Sequence, residues 1–202
     1  MRIGIDIDGV LTNINQYLCD YGSKYFYEKY GRININLDEF LLSKMFNVSK
    51  EDATNCYMSV LESYATKEPA RKYASDIIKK LKNDGNEIYI ISSRCSDGTG
   101  NLSNKMPNII KDWLKRNNIP YDMLFLYADD KLKVCLENNI DIMIDDCEAN
   151  IKKVSSIIPV ICYHANHNIN CIGDNIYRAY SWYHIYSIIK NQLTQKNKIH
   201  SK

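Results

Sequence analysis

The chain has 202 residues, 45% hydrophobic and 25% charged, ordinary shares for a soluble globular protein of one domain or a core with a small insertion. Its 26 basic and 24 acidic residues leave a net charge of +2, without the basic excess of a protein that grips long nucleic acid. No stretch approaches the ~18 apolar residues of a transmembrane helix, so neither long nucleic acid nor a membrane is an expected partner. The seven cysteines are odd in number, irregularly spaced and free of any Cys-x-x-Cys. They read as reduced thiols of a cytoplasmic protein, not as a disulfide framework or a zinc site. After Met1-Arg2 the apolar run is broken by Asp6 and Asp8, unlike a signal peptide. Lys196, Lys198 and Lys202 give a weakly basic end, expected to be a solvated tail.

In chain order, Arg2–Asp8 reads as a buried strand in which Ile3, Ile5 and Ile7 alternate. Asn15–Tyr30 is helical in pattern, with Tyr17, Tyr21, Tyr25 and Phe26 on one stripe and Gly31 where a helix would end. Helices are expected over Leu37–Phe46, Glu51–Tyr64 and Tyr73–Asn83. Strand Glu87–Ile91 ends at Ser92-Ser93-Arg94, and a polar loop covers Cys95–Lys105. Helix Pro107–Asn117, strand Met123–Tyr127, helix Lys131–Asn138, strand Asp141–Ile144, helix Asn150–Ser156 and strand Val160–Tyr163 follow. A terminal helix is expected over Tyr177–Leu193, anchored on the core by Trp182 and Tyr183. Strands alternating with helices predict a parallel α/β sheet, interrupted after the first strand by an all-helical insertion over 14–72.

Ligands of open parallel sheets bind beyond the carboxyl ends of the strands, so the polar residues there are the candidates for chemistry. They are Asp6 and Asp8, then Ser92, Ser93 and Arg94, then Lys131 and Lys133, then Asp145 and Asp146. Side chains two apart on a strand point the same way, so Asp6 and Asp8 are expected to share a pocket. Gly9 admits an unusual φ and a close backbone approach. Clustered carboxylates from two strands suit Mg²⁺, a hard cation with octahedral oxygen coordination. Phosphoryl transfer fits the rest: it needs positioning and charge stabilisation, a carboxylate serves as nucleophile, and a second carboxyl serves as acid and base. Ser93 and Arg94 are further candidates to bind phosphate or substrate, and for Arg94 a surface ion pair is the plainer alternative. His164 and His167 lack a third metal ligand and read as loop residues. The tyrosine stripe reads as packing.

The segment Asp6-Ile7-Asp8-Gly9-Val10-Leu11-Thr12 resembles the first motif of the haloacid dehalogenase superfamily of phosphatases. Ile91-Ser92 is similar to its second motif, Lys131 to its third-motif lysine, and Ile142-Met143-Ile144-Asp145-Asp146 to its fourth. Asp130-Lys131 and Ile144-Asp145-Asp146 look most like the 5′(3′)-deoxyribonucleotidases and their small bacterial nucleotidase relatives. The resemblance implies a three-layer Rossmann-like core over 1–13 and 73–202, with residues 14–72 as a small helical cap. It implies Asp6 as nucleophile, Asp8 as acid/base, Mg²⁺ held by Asp6, the Asp8 carbonyl and an acid of the Asp145-Asp146 pair, and phosphate held by Ser92 and Lys131. Lys133 and Lys105 stay open as alternatives for the lysine. The expected substrate is a (deoxy)nucleoside monophosphate, with Phe40, Phe46, Tyr57 and Tyr64 of the cap as candidates to stack on a base. A sugar phosphate or other small phosphomonoester is the alternative substrate, and a regulatory module that keeps a phosphoryl group on Asp6 is the non-enzymatic alternative.

Overall fold

In the computed structural model, described for residues 1–96, 102 and 104–193, six strands form one parallel sheet. They are β1 (Arg2–Ile5), β2 (Glu87–Ile91), β3 (Met123–Phe125), β4 (Ile142–Asp145), β5 (Val160–Tyr163) and β6 (Ile176–Ala179). The order across the sheet is β3-β2-β1-β4-β5-β6, so β1 is central and pairs with β2 on one side and β4 on the other. Runs such as Glu-Ile-Tyr-Ile-Ile and Ile-Met-Ile-Asp are near-continuously apolar because helices cover both faces of a parallel sheet. This is the parallel α/β sheet that the alternation of strands and helices predicts, in the Rossmann-like form that the resemblance implies. The chain winds from β1 towards β2 and β3 and then crosses back to β4. The switch in direction therefore lies between the tips of β1 and β4, where open sheets bind ligands.

Residues 14–72 contain α1 (Ile14–Tyr30), α2 (Leu42–Met45) and α3 (Lys50–Lys67), and no strand. The expected helix Leu37–Phe46 shrinks to the four residues of α2. The reason is local: the Asn36 side chain accepts the Asp38 N–H at 3.1 Å, a turn that competes with helical bonding. Ser49 starts α3 by accepting the Asp52 N–H at 3.1 Å. Arg71 clasps the two ends of this stretch: its N–H donates to Leu11 O at 2.7 Å, and its Nε reaches Gly9 O at 3.2 Å and Thr12 O at 3.1 Å.

Gly22 of α1 faces the buried ring of Phe46, and a Cβ there would lie 2.6 Å from Phe46 Cε2. Phe46 has Phe26 at 5.0 Å behind it and little room to yield. Gly22→Ala is therefore expected to destabilise the protein although alanine is the better helix former. Overpacking costs about 1–3 kcal/mol against a helix gain of about 1 kcal/mol. Thermal unfolding should show Tm lower by roughly 2–4 °C.

The remaining helices are α4 (Ala74–Asn83), α5 (Met106–Arg116), α6 (Lys131–Glu137), α7 (Glu148–Ser155) and α8 (Trp182–Ile188). The terminal helix starts at Trp182, later than the expected Tyr177. Ile176–Ala179 is edge strand β6, and Ser181 caps α8 by accepting the His184 N–H at 3.2 Å. A run of four apolar or bulky residues has no period that separates strand from helix. Trp182 is buried in the core, whereas Tyr183 stays exposed, in an edge-on ring contact with Tyr73. All seven cysteines are free thiols. No helix among the described residues is long and apolar enough to cross a membrane. The basic end at Lys196, Lys198 and Lys202 lies outside the described residues, as does most of the loop after Ser96.

Candidate active site

Strand β1 stops at Ile5, three residues before the expected end, and Asp6 continues its line by donating its N–H to Ile144 O at 3.0 Å. The chain then turns over Ile7–Leu11 with Gly9 at φ +79°. Asp6 and Asp8 both line one cavity, as their spacing predicts, although Asp8 is presented by the turn and not by the strand. A Cβ on Gly9 would lie 1.9 Å from Asp146 Oδ2, so glycine is required twice over, by its φ and by the acid packed upon it.

Lys131, the first residue of α6, is buried at 3% exposure between two acids. Its Nζ lies 2.9 Å from Asp6 Oδ1 and 2.7 Å from Asp145 Oδ2. Lys133 points outward to Glu137, and Lys105 is exposed, so Lys131 is the lysine that the fold brings to the acids. Asp145 is fully engaged: Cys147 N–H donates to its Oδ1 at 2.8 Å, and Lys131 holds its Oδ2. Asp146 is the opposite case. Its Oδ2 is buried without a hydrogen-bond partner, and His167 Nε2 at 3.6 Å is too distant to supply one. Carboxylate oxygens of Asp6, Asp145 and Asp146 lie within 4.8 Å of one another.

Burial raises the Asp6 carboxyl from its ordinary 3.8 to about 7, with Asp145 and Asp8 adding to the shift and Lys131 opposing it. Burial and the charges of Asp145 and Asp6 push Asp146 well above the carboxylate range. Burial opposes the charge on Lys131, but its two acids outweigh that and hold it protonated. Three carboxylates facing one ammonium, with a dry orphaned oxygen among them, is a donor set that fits a hard divalent cation.

Asp8 has different company. Arg94, expected to touch substrate or to form a surface pair, is buried and grips Asp8 through Nη2 at 2.5 Å and Nε at 3.1 Å. The Tyr64 hydroxyl of α3 also donates to Asp8, and it lies 2.6 Å from the Thr12 hydroxyl. Burial would raise the Asp8 carboxyl, but the Arg94 charge and these hydrogen bonds outweigh it and hold it below the usual range. Ser92 is buried at the cavity floor, with its Oγ accepting the Arg94 N–H at 3.2 Å, and Ser93 stands exposed at the rim.

The cavity above these groups has a volume of about 760 Å³. Its far wall comes from the insertion, with Leu18, Phe40, Leu41, Tyr57 and Met58 on the apolar side and Lys50 as a cation. Two of the four expected stacking aromatics are thereby displaced. Phe46 packs against Phe26, and Tyr64 is bonded to Asp8, whereas Phe40 and Tyr57 line the cavity.

A protein-family model described as "5′ nucleotidase, deoxy (Pyrimidine), cytosolic type C protein" matches residues 1–197. The chain belongs to that family. This nucleotidase-family chain is 26% identical over 200 residues to a nucleotidase of Clostridium acetobutylicum, covering 98% of the one and 97% of the other. Its fold is shared with a haloacid dehalogenase-superfamily hydrolase of Geobacter sulfurreducens, at TM-score 0.54 and 12% identity, covering 93% of this chain and 95% of that one. It is shared too with the D,D-heptose 1,7-bisphosphate phosphatase of Burkholderia thailandensis, at TM-score 0.58 and 8% identity, covering 95% and 99%. The family member is a phosphoric monoester hydrolase on a haloacid dehalogenase core, as its four strand-end motifs imply. Sequence reasoning missed Tyr64 as an Asp8 partner, because nothing in a helical tyrosine marks one hydroxyl among many. It also missed the environment of Asp146 supplied by His167 and Asn168, where the only signal was a polar cluster directly after strand β5.

Proposed function

We propose that the chain is a Mg²⁺-dependent 5′-nucleotidase that hydrolyses (deoxy)nucleoside monophosphates in the cytoplasm through a phosphoryl-Asp6 intermediate. The observation that carries this reading is the cavity itself: acids and Lys131 form its floor, and an apolar, aromatic wall faces them. A flat base fits the Phe40, Tyr57 and Met58 side of that wall, and Asn15, Ser43, Thr54 and Asn150 on the same lining can take its polar edge and the ribose hydroxyls. Family membership and the nucleotidase relative point the same way. The free thiols accord with a reducing compartment.

Asp6, Asp146 and the Asp8 carbonyl are the groups assigned to the cation, since Asp145 is already satisfied by Lys131 and Cys147. When bound, Mg²⁺ would neutralise phosphate charge and stabilise that developing in the transition state. Asp6 supplies the attacking oxygen: a bond forms from its carboxylate to phosphorus as the ester oxygen leaves. Asp8 gives the leaving oxygen its proton, then takes one from the water that breaks the acyl phosphate. Arg94 favours the ionised Asp8, the form that accepts a proton from water, and the donating step requires one oxygen to be freed from that grip. Lys131 holds phosphate oxygens, with the Ser92 hydroxyl and Ser93 beside it. Residues 14–72 form a cap that selects the leaving group.

A panel of phosphomonoesters with Mg²⁺ tests the reading. Nucleoside monophosphates are expected to show kcat/KM at least about tenfold above sugar phosphates, a difference of about 1.4 kcal/mol. Equal or better turnover of sugar phosphates would remove the nucleotidase assignment and favour a general phosphomonoesterase.

A further inference from the structure

Asp6, Thr12, Ser92, Arg94, Lys131, Asp145, Asp146 and Asn168 are the polar or charged residues, tyrosine and cysteine aside, that are buried among those described. All but Asn168 sit at the strand tips already discussed. Asn168 is 0% exposed and lies in a short turn, Asn166–Asn168, after β5. Its amide makes four hydrogen bonds. Nδ2 donates to Asp146 O at 2.8 Å and to Tyr163 O at 2.9 Å. Oδ1 accepts the Ala165 N–H at 3.1 Å and Arg178 Nη1 at 2.9 Å. The surroundings define the orientation: carbonyls face one end of the amide and N–H groups the other. Arg178 fixes the turn further through Nη2, which donates to Asn168 O and Cys171 O, each at 2.8 Å.

Asp146 O also lies 3.2 Å from His167 Nε2, while His167 Nδ1 faces Asn15 Nδ2 at 3.4 Å. One neutral tautomer satisfies both contacts, with Nε2 donating and Nδ1 accepting. Both lone pairs of the Asp146 carbonyl are thus occupied. The Asp146 carboxylate has the reverse character, since its Oδ2 has no hydrogen-bond partner and rests over Gly9. Its aim is set by the backbone that carries it.

We infer that Asn168, braced by Arg178, is a positioning residue that locks the Asp146 peptide and so presents the Asp146 carboxylate to a divalent cation. The inference rests on the assignment of Asp146 as a cation ligand made above. Asparagine is the side chain of this size with two donors at one end and an acceptor at the other. An aspartate would set oxygen against the Asp146 and Tyr163 carbonyls, and the peptide would turn away.

Calorimetric titration of the metal-stripped full chain with Mn²⁺ tests this, with Asp146→Asn as the reference for a lost ligand. Asn168→Asp is expected to weaken Mn²⁺ binding roughly 10–100-fold. Arg178→Lys, at a partly exposed position, should weaken it in the same direction by less, and decides the matter if Asn168→Asp fails to fold. Gly22→Ala, destabilised far from these residues, should bind as wild type does. Affinities for Asn168→Asp and Arg178→Lys within roughly twofold of wild type would overturn the inference. So would an equal loss in Gly22→Ala, which would mean that affinity merely follows stability. If Asp146→Asn itself leaves binding intact, the cation assignment is wrong and the positioning role falls with it, whatever the substrate panel shows.

Discussion

Asp6→Asn is expected to lose about 10⁴-fold or more in kcat while folding as well as wild type does. The amide keeps the size and shape of the carboxylate, but it lacks the charge that makes the oxygen a nucleophile. Stability should move the other way from activity. Burial raises the Asp6 carboxyl to about 7, so between its ordinary 3.8 and about 7 the folded protein holds a proton that the unfolded chain has released. That contribution is present at low pH and is lost as pH rises through about 7. Above that pH the ionised Asp6 is a cost that the amide removes, and Lys131 keeps Asp145 as its partner at 2.7 Å. In chelator, wild-type Tm should fall between pH 5.5 and pH 8, and Asp6→Asn should fall less. Steady-state kinetics with thermal unfolding at the two pH values checks both halves. Turnover within roughly tenfold of wild type would place the nucleophile elsewhere.

Lys131→Met should be the most destabilising single change at the site. The substitution keeps the length of the side chain and removes its charge, leaving Asp6, Asp145 and Asp146 close together without a cation. Removing one partner of a buried charge pair costs about 3–5 kcal/mol, which for a chain of this size lowers Tm by roughly 6–20 °C. The loss has a sign in pH. Without Lys131 the Asp6 and Asp146 carboxyls rise further above their ordinary values, the folded state binds more protons, and the deficit grows as pH rises. Added Mg²⁺ should recover part of the stability and little of the activity, because it restores positive charge without restoring the phosphate contact assigned to Lys131. Lys133→Met, whose side chain is 69% exposed, should change stability by less than about 0.5 kcal/mol. An unaltered Tm for Lys131→Met at pH 8 in chelator would contradict the electrostatic account.

Reading of the chain succeeded where a local rule has one outcome. Ile3 and Ile5 must be buried, Asp6 must follow them at a strand end, and Gly9 must stand where φ is positive, because each is dictated within a few residues. It failed where a competing side chain beside the segment, or a neighbour remote in sequence, decides. Leu37–Phe46 carries apolar residues at helical spacing, yet an Asn36 side chain unwinds most of it. Ile176–Ala179 is a strand because β5 presents a free edge to it, not because its own residues exclude a helix. Lys131, Lys133 and Lys105 were equivalent as letters, and the turn of α6 separates the first two by aiming one at Asp6 and the other at Glu137.

The sequence by itself determined the parallel α/β core, the helical stretch at 14–72 and the four strand ends that carry acids, serine and lysine, since strand period and turn chemistry are short-range. Only the tertiary structure decided what each acid touches. Asp145 and Asp146 are adjacent in the chain, yet one is satisfied by Lys131 and Cys147 while the other keeps a bare oxygen. Asp6 and Asp8 are two apart, yet burial lifts the carboxyl of one and Arg94 depresses that of the other. The physical reason is the reach of each effect. Hydrogen bonds and charges act over a few ångströms of space, and partners such as Arg94, Tyr64 and Asn168 reach that space from 86, 56 and 22 residues away along the chain.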